Sequence, residues 1–159
     1  MFTVKIDTTR VQRSLEKYLV DFRLAVEASV REALVVAEST AKAAISAQTK
    51  SRTGRLLSDV QTIISGRGGG DSPELFSSFR GRLKFRAPYA GYIDSGTRPH
   101  IIRAKDGGVL SFELGGKRIF ARSVKHPGTH PRPFVKPASE AGLATLEASL
   151  RTRIAAIRL

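Results

Sequence analysis

The sequence predicts an α+β fold, in which a long N-terminal helix and a C-terminal helix pack on one face of a curved, mainly antiparallel β-sheet. Two segments, 10–48 and 138–158, repeat apolar residues at steps of three or four, which is the spacing of one helix face. Between them, short segments alternate apolar and polar residues, as strands with one buried face do. The 159 residues are enough to build one core, so we expect a single domain over 1–159.

The N-terminal part is predicted to be a short strand followed by one long helix. Residues 2–7 alternate apolar and polar side chains, and Thr8 or Thr9 can cap the helix that follows. No Pro or Gly interrupts residues 10–48, so this helix would be on the order of 50 Å long. Its apolar stripe shrinks from Leu and Phe to Ala, which lets a neighbouring element approach closely. Either the domain's own sheet and last helix cover the stripe, or another subunit does.

The middle of the chain is predicted to consist of strands, turns and a Pro-rich segment. Gly115 and Gly116 form a two-residue hairpin turn, because Gly is the residue that such turns prefer. The segments predicted in chain order are a helical turn or strand at 55–65, a flexible Gly-rich loop at 66–73, a strand at 83–87, a short helix or strand at 89–96, strands at 109–114 and 117–124, and an extended Pro-rich segment at 126–133.

Positive charge is concentrated in the middle of the chain. The whole chain has 27 Lys and Arg against 14 Asp and Glu, for a net charge of +13. Residues 80–132, the basic β-hairpin region, hold twelve Lys and Arg against three Asp and Glu, a net charge of +9. Such a surplus either predicts attraction to a polyanion (nucleic acid, an acidic protein surface or anionic lipid) or serves solubility alone.

Composition excludes several classes of protein and site. The chain has no Cys, which removes disulfides, thiol nucleophiles and Cys-ligated metals. No stretch approaches the ~20 apolar residues of a membrane span, and residues 1–7 have no signal-peptide core, so we expect a soluble protein made without a classical export signal. The Gly-rich loop lacks the Gly-Lys-Ser/Thr ending of a phosphate-binding loop.

Few polar residues are arranged for catalysis or metal binding. His126 and His130 are four residues apart, but Pro and Gly between them prevent the helix that would put both on one face; with His100 they could still form a three-His site. Asp94 is the one acid of the region beside His100, and a lone Asp in a Gly-flanked turn usually caps a backbone amide. We therefore predict no enzymatic activity, no metal site and no cofactor.

Recognition of a nucleic-acid sequence is not predicted either. The chain has three Tyr and no Trp for stacking on bases. Phe85, Phe112 and Phe120 fall at strand positions that are expected to face a core. Contacts with nucleic acid would therefore be made to phosphates, would be independent of sequence and would weaken steeply with salt.

A series of short blocks follows the long helix in a fixed order. The blocks are Thr53-Gly54-Arg55-Leu56, Tyr89-Ala90-Gly91-Tyr92-Ile93-Asp94-Ser95-Gly96-Thr97, Pro99-His100-Ile101-Ile102, Leu110-Ser111-Phe112 with Gly116, Val124-Lys125-His126-Pro127-Gly128-Thr129, and Pro133-Phe134-Val135-Lys136-Pro137-Ala138. In this order they resemble the small tail-component family of tailed bacteriophages and prophages, the tail-completion or head–tail joining proteins similar to the minor tail protein Z type. The chain departs from that pattern at Asp94-Ser95, where a Glu and a bulkier residue are expected, and at residues 68–70, which look like a local insertion.

The resemblance implies a structural protein of the virion neck, made in the host cytoplasm and placed between the capsid's portal complex and the tail tube. It implies a homo-oligomeric ring, hexameric to match the symmetry of the tail, with double-stranded DNA passing through the lumen. The implied partners are portal-side connector or stopper proteins and the tail terminator or tail tube protein. Enzymatic activity, a cofactor and a membrane are not implied.

Stiff Pro-containing segments beside a basic hairpin suggest where such a ring makes its contacts. For contacts between subunits we predict Arg98, Pro99, His100, Arg103, His126, Pro127, Thr129, Pro133 and Phe134. For contacts with DNA in the lumen, or with acidic faces of adjoining rings, we predict Arg80, Arg82, Lys84, Arg86, Lys117, Arg118 and Arg122. The alternative function is a sequence-independent basic nucleic-acid-binding protein that acts outside a particle.

Overall fold

A computed structural model describes residues 8–48, 54–66 and 79–157, and it confirms the α+β class. Internal contacts divide the chain into two units, which we describe separately: unit 1 comprises Met1–Ala87 and Phe134–Leu159, and unit 2 comprises Pro88–Pro133. The strand predicted at 2–7 lies outside the described residues, as does the loop predicted at 66–73 except for Gly66. None of the helices in the described part of the chain combines the length and hydropathy that crossing a bilayer requires.

Unit 1 is built on the long helix α1, Thr9–Gln48, which confirms the helix predicted at 10–48. Its 40 residues give it a length of about 60 Å. The buried side chains of α1 recur every four residues along one line and are small apart from the last: Ala25, Ser29, Ala33, Ala37, Ala41 and Ile45.

The C-terminal helix α4, Val135–Ala155, packs on this line of small residues. An ideal Cβ on Gly142 would lie 3.0 Å from the Ala37 Cβ and 3.2 Å from the Ala33 carbonyl oxygen, so the two helix backbones approach closely here. The helix begins three residues before the predicted 138, because Pro137 falls in its first turn, where an N–H has no helical partner to lose.

The remaining elements of unit 1 lie against α1. The short helix α2, Arg55–Ser58, precedes strand β1, Val60–Gly66, which pairs antiparallel with β2, Phe79–Phe85. Residues 55–65 therefore contain both a helical turn and a strand. The β1–β2 sheet meets α1 at Gly81, where an ideal Cβ would lie 2.5 Å from Leu34 Cδ1.

Unit 2 contains one short helix and four short strands. These are α3, Ala90–Ser95; β3, His100–Arg103; β4, Leu110–Leu114; β5, Lys117–Ala121; and β6, Ser123–His126. The predicted hairpin turn is confirmed, since Leu114 pairs with Lys117 across Gly115 and Gly116. The return strand predicted at 117–124 is divided at Arg122, because β5 pairs with β4 whereas β6 pairs with β3.

The described strands form three two-stranded antiparallel sheets, β1–β2, β3–β6 and β4–β5, and not the single curved sheet that the sequence predicts. Pro88 follows the end of β2, and the next residues form α3, so the chain leaves the first sheet before a third strand can join it. The two long helices pack chiefly on each other, and α1 also packs on the β1–β2 sheet.

Candidate functional site

A two-stranded ribbon, residues 97–104 paired with 122–129, forms the centre of unit 2. Thr97 opposite Thr129, β3 opposite β6, and the bond from the Ala104 N–H to the Arg122 carbonyl all keep one register. Within that register Pro99 falls opposite Pro127, and the ladder is interrupted there because Pro has no N–H to donate. The β4–β5 hairpin continues this ribbon, since only Arg122 separates β5 from β6.

At the end of the ribbon away from the β4–β5 hairpin, the two strands are held together by backbone and side-chain hydrogen bonds between two threonines. The Thr97 and Thr129 backbones exchange two N–H···O bonds of 3.1 Å each. The Thr129 N–H also donates to the Thr97 hydroxyl at 3.0 Å, and the two hydroxyls lie 3.1 Å apart. This end of the ribbon is therefore fixed by backbone and side-chain hydrogen bonds together.

Two glycines make this closure possible. Gly128 has φ +88°, and a Cβ there would collide with the Thr97 carbonyl oxygen. Gly96 has φ +71°, and a Cβ there would lie 2.5 Å from the Thr129 carbonyl oxygen. Both positions thus need a residue without a side chain, for conformation and for space. Each glycine lies in one of two sequence blocks some thirty residues apart, and the structure brings those blocks into contact.

His100 and His126 lie directly opposite each other in the ribbon, with ring centroids 5.1 Å apart. The His126 Nδ1 accepts a hydrogen bond from the Gly128 N–H at 3.1 Å, so in the neutral ring the proton is on Nε2. The His100 Nδ1 lies 2.8 Å from the Arg98 carbonyl oxygen, which requires it to be the donor. A metal held by both Nε2 atoms would need a proton on the His126 Nδ1 and would break its bond to Gly128. The two rings therefore contact each other across the ribbon, and each is hydrogen-bonded to the backbone two residues away in its own segment.

The third histidine does not complete a metal site. Among the described residues, no three His, Asp or Glu side chains come together in a group that could hold a metal ion. His130 lies beyond the Thr97–Thr129 closure, whereas the other two histidines lie within the ribbon.

Unit 2 has almost no core of its own. Ala90 is the one buried residue of its 46 residues, all of which the structure describes. Several large apolar side chains of unit 2 are instead exposed: Tyr92, Ile101, Ile102, Val109, Leu114 and Phe120. The expectation that Phe120 faces a core is therefore wrong. A small unit that buries so little apolar surface lacks the driving force that normally stabilises one.

The predicted subunit-contact residues fall mainly in the ribbon. Arg98, Pro99, His100, Arg103, Pro127 and Thr129 are exposed there, and His126 is half-buried. Pro133 is also exposed, at the end of unit 2. An open depression of about 520 Å³ lies beside the ribbon, and its lining includes Tyr92, Arg98 and His100.

Phe134 corrects the prediction that it contacts another subunit. Its side chain is 1% exposed and packs on Phe85, with ring centroids 5.0 Å apart. It is the largest fully buried side chain in the described residues and lies immediately before α4, where it joins the helix to the β1–β2 sheet. The signal available in the sequence was a large apolar residue just before the predicted C-terminal helix. An apolar residue in that place commonly packs and fixes how the chain enters the helix.

The predicted cationic residues belong to two different units of the chain. Lys117, Arg118 and Arg122 are exposed on or beside the β4–β5 hairpin, where Glu113 lies opposite Arg118. Arg80, Arg82 and Lys84 are exposed on β2 in unit 1, and Arg86 follows them, with its N–H bonded to the Asp59 carbonyl oxygen at 3.1 Å. Sequence reasoning grouped all seven because they lie close together in the chain.

One further surface was only partly foreseen. α1 exposes four large apolar residues in its N-terminal half, Val11, Leu15, Val20 and Leu24, each more than half exposed.

The hydrogen bond between the side chains of Thr62 and Glu38, which links β1 to α1, was not foreseen at all. Their pairing depends on how the sheet meets the helix.

The fold and these surfaces define a class: a small α+β chain built on two packed helices, with a second unit that is a Pro- and Gly-shaped ribbon almost without a core. No family model, no curated protein and no solved structure matches the chain. Its function is therefore inferred from its own residues and their arrangement.

Proposed function

We propose that the chain is a structural protein that assembles with copies of itself into a ring, as the head–tail connector or tail-completion protein of a tailed bacteriophage or prophage neck. In this role it joins the portal complex to the tail tube around the DNA path. The ring would be hexameric and would contact connector or stopper proteins on one side and the tail terminator or tail tube on the other.

The observation that carries the proposal is the missing core of unit 2. Ordering each residue costs about 1.5 kcal/mol, and burial of apolar surface normally offsets that cost. Ala90 is the only fully buried residue of unit 2, and apolar residues such as Phe112 and Ile119 are no more than half-buried. Ile101, Leu114 and Phe120 of the ribbon and its hairpin are more than half exposed. A two-stranded ribbon is at best marginally stable by itself in water. An oligomer in which a neighbouring copy covers the ribbon supplies the missing burial.

The arrangement of the sequence blocks supports the same proposal. The blocks around Thr97 and Thr129, which carry much of the family resemblance, pair with each other in the ribbon and shape its open end through Gly96 and Gly128. The blocks at 110–112 and at Gly116 belong to the hairpin that extends it. The resemblance thus falls on the part of the chain that needs a partner.

Assembly is tested by light scattering coupled to size-exclusion chromatography and by electron microscopy of the purified chain, alone and mixed with a bacteriophage tail tube protein. The expected result is a ring of defined order in at least one of the two samples. A strict monomer in both samples at every concentration, with tight DNA binding that falls steeply with salt, would replace the proposal by the alternative of a nucleic-acid-binding protein acting outside a particle.

A matched pair of variants tests which surface is covered on assembly. Leu114 in the hairpin and Leu143 on α4 are 64% and 60% exposed, so replacing either by Ser changes little in the monomer. Burying a Leu contributes about 1.5–3 kcal/mol. Leu114→Ser should therefore weaken assembly roughly 10-fold to 100-fold, and Leu143→Ser should leave it unchanged. Equal effects of the two variants would contradict the assignment of the ribbon as the contact surface.

A further inference from the structure

We propose that the outer face of the β1–β2 sheet binds the phosphate backbone of double-stranded DNA without reading its sequence, through Arg80, Arg82 and Lys84. We call these three residues the β2 cation row. The inference rests on the proposed function insofar as DNA is the polyanion that such a ring would surround. It separates this row from the hairpin cations, with which the sequence alone had grouped it.

The strand geometry places the three side chains on one face. Alternate residues of a strand point to the same side and are about 6.6–6.8 Å apart, so the row spans about 13 Å. The intervening residues of β2 face α1: a Cβ on Gly81 would touch Leu34, and Leu83 is half-buried. Arg80, Arg82 and Lys84 therefore point away from the helix, and all three are exposed.

None of the described residues paired with the row is acidic. The residues opposite on β1 are Ser65, Ile63 and Gln61, all uncharged and exposed. The ion pairs found in the described residues lie elsewhere, on α1, on α4, between these two helices, and at Arg55–Asp59. Three like charges in a line repel one another, and a polyanion lying along them relieves that repulsion.

A nucleic-acid backbone fits this face better than an acidic protein does. Stable contacts between proteins usually contain an apolar centre, whereas the described part of this face has Ile63, at 40% exposure, as its one large apolar residue. Duplex DNA needs no apolar contact and presents a dense, regular array of phosphates, which Arg binds through its forked N–H donors. The face has no exposed aromatic side chain among its described residues, so stacking on unpaired bases is not expected.

The other cations suit this role less well. In the hairpin, Glu113 lies opposite Arg118 and the exposed Leu114 and Phe120 lie close by, which favours a contact with protein. Arg86 is bonded through its backbone to Asp59, whose carboxylate lies 3.8 Å from Arg55. Arg86 also follows the end of β2 and so does not belong to the row.

The test measures binding of the full chain to a fluorescent 20-base-pair duplex by anisotropy, over a series of salt concentrations. Each neutralised phosphate contributes about 0.9 to the slope of log K against log salt. The triple variant R80Q/R82Q/K84Q should therefore lose about 2.7 of that slope. The control K117Q/R118Q/R122Q removes the same charge and should lose less than about 0.9. A second duplex of unrelated sequence should give the same slope as the first.

Each other outcome decides against the inference. Equal loss of slope in both triple variants would show a general effect of charge, and an unchanged slope in R80Q/R82Q/K84Q would remove the row from DNA binding altogether. Stronger binding to poly-glutamate than to DNA at equal salt would assign the face to an acidic protein. Circular dichroism should show that both triple variants keep the fold intact, because all six substituted residues are exposed.

Light scattering on the same variants separates this inference from the proposed function. If R80Q/R82Q/K84Q assembles as the wild type does but loses the slope, both proposals stand. If the wild type never assembles, alone or with the tail tube protein, and R80Q/R82Q/K84Q loses the slope, the DNA contact stands and the ring does not. If the wild type assembles and the slope is unchanged, the ring stands and the row is overturned.

Discussion

Gly128 and Gly96 show at the level of single residues how two distant parts of the sequence are fitted together. Each approaches a backbone carbonyl from the other segment so closely that a methyl group would collide with it. The contact is between main chains, so no side chain can rotate away to relieve the collision. Their identity as Gly is therefore a requirement of the tertiary contact.

We predict that Gly128→Ala destabilises the closed end of the ribbon. The positive φ alone costs a residue with a side chain about 1–3 kcal/mol, and the collision with Thr97 adds to that. Amide hydrogen exchange at Thr97 and Thr129, measured in the assembled ring, should accelerate. The control is Gly91→Ala in α3, where nothing lies within 4 Å and Ala favours the helix by about 1 kcal/mol. Slow exchange retained in Gly128→Ala would show that the closure does not depend on this contact.

A second residue, Glu38, links stability to pH. Hydrogen bonds from Lys42 and then from Thr62 hold the pKa of its carboxyl below the ordinary value of 4.5. A lowered pKa means that the folded chain favours the ionised form, so this stabilisation is complete above about pH 4.5 and is lost as the pH falls through the folded-state pKa.

We predict that Glu38→Gln lowers the free energy of unfolding near neutral pH by at most about 1 kcal/mol, because the carboxylate is near the surface. The difference from the wild type should shrink as the pH falls from 6 to 3, measured by urea denaturation at each pH. Glu147→Gln, at an exposed position on α4, is the control and should run parallel to the wild type. A difference that grows toward acid pH would contradict the assigned sign.

At the scale of elements, the contact between α1 and α4 depends on small residues. The line of Ala and Ser on α1 meets Gly142 of α4, and Glu32 adds hydrogen bonds from Ser149, at 2.7 Å, and from Arg153, at 3.2 Å. Ser29 is fully buried in that line, and its hydroxyl donates a hydrogen bond of 2.8 Å to the Ala25 carbonyl oxygen of the same helix. The close approach of the two backbones and the hydrogen bonds to Glu32 together hold α1 against α4.

We predict that Gly142→Leu separates the two helices and destabilises unit 1 by about 1–3 kcal/mol or more, because the Ala33 backbone on the opposite helix cannot move aside. The melting temperature measured by circular dichroism should fall. Ala144→Leu adds a side chain of the same size two residues further on, at an exposed position, and should leave the melting temperature nearly unchanged. Equal effects of the two substitutions would mean that the helices are not closely packed at Gly142.

Periodicity in the sequence was enough to predict most elements but not their partners. It gave α1 and the Gly115-Gly116 hairpin, because both depend on residues that are neighbours in the chain. It did not reveal that β3 pairs with β6 across the inserted hairpin, nor that Phe134 is a core residue. These depend on contacts between distant residues, about which a local pattern carries no information.

At the scale of the whole molecule, burial is divided unequally between the two units. Unit 1 holds nearly all the buried side chains, whereas unit 2 buries Ala90 alone. Regions with few buried apolar contacts open locally at low free-energy cost. The two units should therefore differ in stability within one chain, and assembly should act mainly on the less stable one.

We predict that hydrogen exchange measured by mass spectrometry is slow in α1 and α4 and fast over 88–133 in the unassembled chain. On ring formation, protection should rise in 88–133 by at least about 10-fold, the effect of burying one large apolar side chain per subunit. Peptides from the centre of α1 serve as the internal control and should change little. Slow exchange over 88–133 in a demonstrated monomer would contradict the view that unit 2 requires a partner.

The sequence by itself determined the α+β class, the long helix, the tight hairpin and the concentration of positive charge at 80–132. Each of these follows from composition or from interactions between residues close in the chain. Only the tertiary structure decided that the charge is divided between β2 and the hairpin, that Gly96 and Gly128 close one ribbon, and that unit 2 lacks a core. Strand pairing and burial depend on which distant residues meet, and that is settled when the whole chain packs.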